Sequence, residues 1–541
     1  MENGRGKFYI VPLVIGLTLA TGMLIGTMFT TTGGIADPVA ENTSKFQTIL
    51  ELIEEKYVDS VDHDLLIESS IQGMITELDP HSAYIPASDL AMVNEQLEGR
   101  FGGVGIRFLI HEDSLVVTHI IPNAPAAAAG LKPGDRIVAV DGKNIADGKL
   151  TTEDVMEMLK GKEGSDVEVT VERYGSRKDY TIERGQIPIS SIDAAIMLNK
   201  DVGFIKLNSF THNSALEFSE SADKLKAQGM KKLIFDLRNN GGGIMDAATD
   251  ITDEFLPDGK MIVYTEGRKE PYRAYYATEE GDLDNMEVIV LINSLSASAS
   301  EIVAGALQDN DCALIMGRRS FGKGLVQDQT PFKDGSALRL TISRYYTPTG
   351  RSIQKPYGKD IDYYGDYYER FDSGEMMNED SMNVDENAKF TTPAGRTVYG
   401  GGGIYPDIFI PNDTAGASYY LTELYYANAF NHFAVRFLDK NRSRFGAFED
   451  FQRNFQISNE MFLDFIQYAV KLGIAENPVD IITSRAVIKN RIKAEIARHL
   501  WQDDGYFAIY IEDDLDVQRA LAEFGKGKSL MSLLYPERNG R

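Results

Sequence analysis

"MEVIVLINSLSASASEIVAGALQDN", residues 286–310, decides the fold. After Met286 and Glu287 it runs through the apolar Val288–Ile292, passes through serines 296, 298 and 300, and continues as a second apolar segment. In that segment Ile302, Val303, Ala306 and Leu307 share one helical face. A buried strand feeding a helix through a short turn is the building unit of a parallel sheet. The turn supports two readings. Ser298 and Glu301 have the S-x-x-E spacing of a capping box, which needs no chemistry. The start of a helix also suits a nucleophile, because its first N–H groups lack intrahelical partners and its dipole favours negative charge. If Ser298 attacked a carbonyl, the Ala299 N–H would lie where an oxyanion donor is wanted.

The same alternation extends on both sides. "DVGFIKLNSF" (201–210) and "KKLIFDLR" (231–238) read as strands, and "ALEFSESADKLKAQG" (215–229) and "IMDAATDITDEFL" (244–256) as helices. Residues 188–414 are therefore expected to form an α/β core with a largely parallel sheet. "DLRNNGGG" (236–243) runs from a strand into a glycine-rich turn at the sheet's carboxyl edge. Gly242 or Gly243 could bring a second N–H to the serine turn, or the glycines could form a tight turn and nothing more.

A serine nucleophile needs a base. The chain has no G-x-S-x-G elbow, and none of its seven histidines falls in a motif beside the serines. His212, in "NSFTHNS", is the one histidine kept as an alternative base. "GRRSFGKGLVQ" (317–327) offers Lys323 among glycines and apolar residues, where burial would lower its pKa. Gln327, four residues on, could orient the amine without adding charge. The same stretch nearly matches a phosphate loop, but Gly324 stands where a Ser or Thr would hold Mg²⁺, and a strand-like segment follows. The nucleotide reading fails.

The flanking regions differ in character. Residues 98–187 carry short β runs with Gly/Pro punctuation, 41–97 form a small helical region, and 415–541 read as all-helical. The basic face of the helix near 485–501 (Arg485, Lys489, Arg491, Lys493, Arg498) reads as solvated surface, and the acidic, Tyr-rich stretch within 356–390 as a surface excursion. Arg5 and Lys7 precede an uncharged run from Phe8 to Phe29, long enough to span a bilayer. Residues 1–40 are thus expected to be a signal anchor and linker. The catalytic part would then face the periplasm or cell exterior from a single pass in the cytoplasmic (inner) membrane. A net charge of −26 argues against nucleic acid as a partner. Cys312 is the only cysteine, so neither an intrachain disulfide nor a Cys-based zinc site is available.

Together, "LDPHSAYIP" (78–86), "DLRNNGGG", "NSLSASASEIVAGALQDN" and "GRRSFGKGLVQ" resemble the carboxy-terminal processing (tail-specific) proteases over about residues 41–410. The family's serine is the middle one of the run, its lysine follows 25 residues later and a glutamine four beyond that. This selects Ser298, Lys323 and Gln327, since 298 + 25 = 323 and 323 + 4 = 327. The resemblance implies serine attack on a peptide carbonyl, lysine as general base and an acyl-enzyme released by water, with no cofactor or metal. It also implies an oxyanion hole from Ala299 and the glycine turn. "NNGGG" departs from the family, which more often has a proline before the glycine pair, so the oxyanion glycine stays open between Gly242 and Gly243.

Residues 98–187 resemble a PDZ domain through "FGGVGIRF" and "NAPAAAAGLKPGDRIVAVDGKNI". Gly102, Gly103, Val104, Gly105 and Ile106 are the candidate carboxylate-binding segment, with the peptide added as a strand. Val155, Met158 and Leu159 are candidates for the pocket of its last side chain, or for the module's own core. The expected partners are protein or peptide substrates taken by their C-termini, with homo-oligomer assembly through the C-terminal helices as a further possibility, and a non-catalytic tail-binding scaffold is the alternative to a peptidase.

Overall fold

The computed structural model describes residues 12, 14–23, 38–111, 114–146, 151–278 and 281–526. Half of the expected anchor, Phe8 to Phe29, lies outside these residues, and 14–23 is helical. Among the described residues no helix is long and apolar enough to cross a membrane. The chain divides into two compact units, Met1–Met74 and Ile75–Arg541. The first contains the helix Pro38–Lys56 and most of the helix His63–Ile75, with His63 Nε2 2.6 Å from Glu54 Oε2.

The second unit is built on a 6-stranded sheet. Its strands are β1 (Ile192–Met197), β2 (Val202–Leu207), β3 (Lys232–Asp236), β4 (Glu287–Ile292), β5 (Ala313–Gly317) and β6 (Ile408–Phe409), in that spatial order. β1 pairs antiparallel with β2, and every pairing from β2 to β6 is parallel. The expected largely parallel sheet is therefore present. Its strands read as continuous apolar runs because both faces are covered.

One face packs Phe235, Val290 and Ile315 against Phe218, Ile251 and Val303 of the helices Ser214–Ala227, Met245–Asp253 and Ala299–Asp309. The other packs Phe204, Ile289 and Leu314 against Val517, Ala520 and Phe524 of the helix Leu515–Phe524. The last helix of the expected C-terminal region thus forms the second layer of the core. Burying each of these side chains other than Ala520 contributes ~1.5–3 kcal/mol.

A second sheet joins Ala83–Ile85, Ala337–Tyr346, Met261–Glu266 and Arg273–Tyr276, and Leu325–Pro331 pairs along Ala337–Tyr346. "LDPHSAYIP", expected in a helical region, supplies the Ala83–Ile85 strand. The PDZ-like module is a separate sheet ordered 106–111, 114–120, 136–140, 166–173, 176–183, with helices Pro125–Ala129 and Thr152–Leu159.

Two expectations about surfaces are corrected. In the helix Arg485–Tyr510, Lys493 is buried and donates to the Gln452 carbonyl (2.7 Å), while Arg491 and Arg498 stack 3.5 Å from the ring centres of Tyr510 and Tyr506. Aromatic faces and buried carbonyls, not water, take much of this basic face. The Tyr-rich excursion is anchored through buried Lys355, Tyr363, Arg370 and Glu375, although Tyr364 and Tyr368 remain exposed. Lys355 sits between the rings of Phe321 and Tyr363 and pairs with Asp366 at 3.0 Å.

Candidate active site

The serine turn, the glycine-rich turn, the Lys323 segment and the second sheet meet around a cavity of about 740 Å³. Its walls include Ser298, Ala299, Gly242, Gly243, Lys323, Gln327, Arg339 and Tyr345, with Asn94 and Leu97 of the helix Ala87–Glu98 on one side.

Burial separates the three serines. Ser296 and Ser300 are fully buried. Ser296 Oγ donates to the Leu237 carbonyl (2.8 Å) and accepts from the Asn293 N–H (2.9 Å). Ser300 Oγ donates to the Asn240 carbonyl (2.9 Å). Both tie the serine turn to the glycine-rich turn. Ser298 alone of the three lines the cavity, with φ 54° and ψ −113°. Positive φ at a side-chain-bearing residue costs ~1–3 kcal/mol and marks a conformation imposed by its surroundings.

Glu301 imposes much of it. Its carboxylate is completely buried and accepts the Ser298 N–H (2.8 Å), as a capping box would. It also accepts the Ser320 hydroxyl (2.5 Å) and the N–H groups of Gly322 (2.7 Å) and Lys323 (2.8 Å). Burial raises its pKa, and these donors work in the opposite direction. Tyr345, deeply buried, reinforces the join: its hydroxyl lies 2.5 Å from the Lys323 carbonyl and 3.0 Å from the Ser298 carbonyl.

The glycine turn is shaped by buried Asn240. Its Nδ2 donates to the Leu207 carbonyl (3.0 Å), and its Oδ1 accepts the Gly242 N–H (2.8 Å). Gly242 has φ +97°, and a Cβ there would stand 2.8 Å from Ser298 Cβ and 2.9 Å from Ala299 N. Among the described residues neither the Ala299 nor the Gly243 N–H has a hydrogen-bond partner. Upstream, Arg238 is held by Asp236 (2.7 Å), Asp514 (2.9 Å) and Asp516 (2.8 Å).

Lys323 is half-buried, and among the described residues its amine has neither a hydrogen bond nor an ion pair. Burial, and then the charge of Arg339, pull its pKa below the usual lysine range, while Glu301 and Asp79 oppose them. Nearby His81 is driven down to about 4 by burial and by Lys323, and its Nε2 lies 2.8 Å from the Tyr363 hydroxyl. Gln327 lines the cavity, but its amide donates to Thr341 Oγ1 (3.3 Å). Thr341 Oγ1 in turn donates to Asp79 (3.0 Å). Counting four residues from Lys323 does not place the amide on the amine, because the strand starts at Leu325 and has a bulge between Val326 and Gln327. His212 is exposed at the cavity wall, and its backbone N–H donates to the Leu97 carbonyl (3.3 Å).

The sequence profile of peptidase family S41 matches residues 201–363, that of the PDZ domain matches 116–173, and that of the N-terminal domain of the activating protease CtpB matches 28–88. A family of unknown function matches 420–503. The carboxy-terminal-processing protease of Bartonella bacilliformis is 36% identical over 352 residues, covering 64% of this chain and 80% of that one. The chain belongs to the carboxy-terminal-processing protease family. It is a serine peptidase of family S41 with a PDZ domain. The Staphylococcus aureus (strain N315) protein named "Probable CtpA-like serine protease" is 33% identical, over 66% of this chain and 71% of its own. The solved photosystem II D1 C-terminal processing protease has 25% identity and a TM-score of 0.35, covering 68% of this chain and 87% of that one.

In the peptidase's PDZ domain, the strand Ile106–His111 lies at the end of its sheet, and among the described residues one of its edges is unpaired. Val104, Val155 and Leu159 are buried in the domain's own core, with Ile106 and Met158 half-buried against it. Gly102 and Gly103 pair with Gln186 and Gly185, and Gly102's carbonyl accepts from the Gly161 N–H (3.2 Å). Gly105's carbonyl accepts from the Ile121 N–H (3.0 Å). The outer face of this sheet packs on the C-terminal helices. Leu109 and Val116 cluster with Val435, Arg107 pairs with Asp503, and Arg136 pairs with Asp439 at 3.1 Å.

Glu301, Tyr345, Asn240, Asp79 and Arg339 are site residues that the sequence reading did not single out for a part in the chemistry. Glu301 carried a signal in its S-x-x-E spacing, which pointed to a cap, and Asn240 and Asp79 lay within the quoted stretches "DLRNNGGG" and "LDPHSAYIP" without being given a role.

Proposed function

We propose that the peptidase cuts polypeptides with a Ser298–Lys323 dyad. The neutral Lys323 amine takes the Ser298 Oγ proton as Oγ adds to the scissile carbonyl. The tetrahedral oxyanion is received by the Ala299 and Gly243 N–H groups. Collapse breaks the C–N bond, and the lysine ammonium returns its proton to the leaving amine. Water, deprotonated by the same lysine, then splits the acyl-serine ester. Gln327 turns from Thr341 to orient the amine. The observation that carries this reading is the half-buried Lys323 amine, unpartnered among the described residues, in the cavity that Ser298 lines. Gly243 is preferred to Gly242 because the Gly242 N–H already serves Asn240.

The PDZ domain presents substrates by their C-terminal tails, added along the free edge of Ile106–His111, with Gly102–Gly105 near the terminal carboxylate. Val155, Met158 and Leu159 form the floor under the last side chain. The chain is anchored through Phe8–Phe29 in the cytoplasmic membrane, with the catalytic part on the far side. The exposed faces of the C-terminal helices are the surface for self-assembly.

The deciding experiment is cleavage of an unfolded protein with an apolar tail by wild type, Ser298→Ala, Lys323→Ala and His212→Ala. Loss in the first two variants alone, with folds intact, supports the dyad. Activity retained in Lys323→Ala and lost in His212→Ala would replace it with a Ser–His arrangement.

A further inference from the structure

Arg339 is the exception among the buried and half-buried arginines of the protease core. The buried or half-buried Arg238, Arg318, Arg319, Arg351, Arg370 and Arg396 each have a carboxylate within 3.0 Å. Arg339 is half-buried, lines the cavity beside Ser298, and has no ion pair among the described residues. Among the described residues the cavity offers it no free carboxylate. Glu98 is exposed and paired with Arg100 (3.4 Å), and Asp79 accepts from His81, Ser82 and Thr341.

The guanidinium is nevertheless held in place. It donates to Gln329 Oε1 (2.8 Å), and Gln329 Nε2 donates to Asn94 Oδ1 (3.1 Å). The Arg339 backbone is fixed between two neighbours, paired with Gln329 on one side and Ala83 on the other. A guanidinium has five N–H donors in a planar fork suited to a carboxylate. One of these groups is occupied, so the rest of the fork is available to whatever enters the cavity.

We propose that Arg339 is a specificity-determining residue of the cleft: it receives a carboxylate of the bound polypeptide, either an acidic side chain or a free chain terminus. This deepens the reading of the cavity as the peptide-cleavage site and rests on it. An uncharged substrate leaves the fork unmatched, whereas a carboxylate gains a charge-assisted, two-point contact away from bulk water. Such contacts are worth ~10- to 100-fold in affinity.

The test uses the full chain carrying Ser298→Ala, so that bound peptide is not turned over. Three short peptide sets are compared. One is neutral and C-terminally amidated, the second is amidated with one aspartate placed at each position in turn, and the third is neutral with a free terminus. Arg339 predicts that at least one acidic peptide binds ~10- to 100-fold more tightly than the neutral one. It also predicts that Arg339→Gln closes the gap and Arg339→Lys retains part of it. A gap for an aspartate peptide assigns the side chain, and a gap for the free-terminus peptide that Arg339→Gln abolishes assigns the terminus. A free-terminus gain that survives Arg339→Gln belongs to the PDZ domain, and it also shows that the variant is folded. If no peptide shows an Arg339-dependent gap, the proposal is overturned. Turnover of the neutral peptide by wild type and Lys323→Ala is measured alongside. Equal rates there would sink the dyad and leave the Arg339 binding result standing on its own.

Discussion

Ser298 and Lys323 are joined through one oxygen: Glu301 Oε2 accepts the backbone N–H of each at 2.8 Å. The two residues proposed to exchange a proton therefore share an anchor that touches neither reacting group. Glu301→Gln keeps the shape but turns one acceptor end into a donor facing donors, and Glu301→Ala removes both ends. Each unsatisfied buried N–H costs ~1–3 kcal/mol. Displacing a reacting group by about 1 Å can cost ~100-fold in rate. Both variants are expected to lose about that much in kcat while KM changes little, with Tm lowered more in Glu301→Ala. Steady-state kinetics with a thermal melt checks this, and full activity in Glu301→Ala would refute it.

As the proposed base, Lys323 would set the pH response. A base must be neutral, so kcat/KM should rise with pH along an acid limb that lies below the ordinary lysine range near ~10.4. Arg339 helps to depress that pKa, so Arg339→Gln should move the limb to higher pH. The sign for stability follows from the same shift. A folded-state pKa below the unfolded value means that the native state binds fewer protons, so the ionised lysine costs stability at every pH below ~10.4. Lys323→Met should therefore raise Tm at neutral pH while abolishing cleavage. A lower Tm would show that the amine is stabilised by contacts in the folded chain.

The glycine turn is intolerant of side chains. At Gly242 a Cβ meets the Ala297 carbonyl at 2.7 Å, and at Gly243 it meets the Phe210 carbonyl at 2.0 Å, with φ +97° and +147°. Gly242→Ala is expected to destabilise the protein by about 1–3 kcal/mol and to reduce cleavage at least about 100-fold. The check is denaturant unfolding in parallel with a cleavage assay. Wild-type activity in this variant would mean that the turn does not abut the reacting serine.

Two histidine pairs join the PDZ domain to the C-terminal helices. His111 Nδ1 lies 3.2 Å from His432 Nδ1, and the rings of His119 and His499 stack at 5.6 Å. His119 Nε2 meets the Arg498 carbonyl, and His499 Nε2 meets Asn431, with Arg107, Arg442, Arg498 and Asp503 as the surrounding charges. Burial lowers His432 to about 4 and His499 to about 3, and lowers His119 as well. The docked state thus binds fewer protons, and docking should weaken as pH falls from ~6.5 towards ~4. Hydrogen exchange of residues 106–120, corrected for intrinsic rates, should rise over that window. His432→Gln should blunt the rise, and an unchanged rise would shift the cause to the Arg107–Asp503 and Arg136–Asp439 pairs.

The core sheet and Ser298 were legible because local periodicity and a fixed spacing carry them. "EVIVLI" followed by "EIVAGALQ" can bury its apolar faces in few other ways, and the S-A-S-A-S run points outward at one residue only. Counting brought Gln327 to the cavity wall but not its amide onto the Lys323 amine, because a loop and a bulge intervene. Glu301 was visible as a cap. Its reach to Ser320, Gly322 and Lys323 was not, since those contacts arise only when the loop before Leu325–Pro331 folds over it. The burial of Lys493 and the stacking of Arg491 and Arg498 escaped for the same reason: helical spacing gives a face, not the neighbour that covers it.

Arg238, which stands just before the glycine turn, is gripped by Asp514 and Asp516, 276 and 278 positions further along the chain. The support of the turn is therefore completed late in synthesis, after Ser298 and Lys323 have long been in place. A growing chain therefore holds Ser298 and Lys323 before this brace of the glycine turn exists, and the cleft they line is completed only when the C-terminal segment docks.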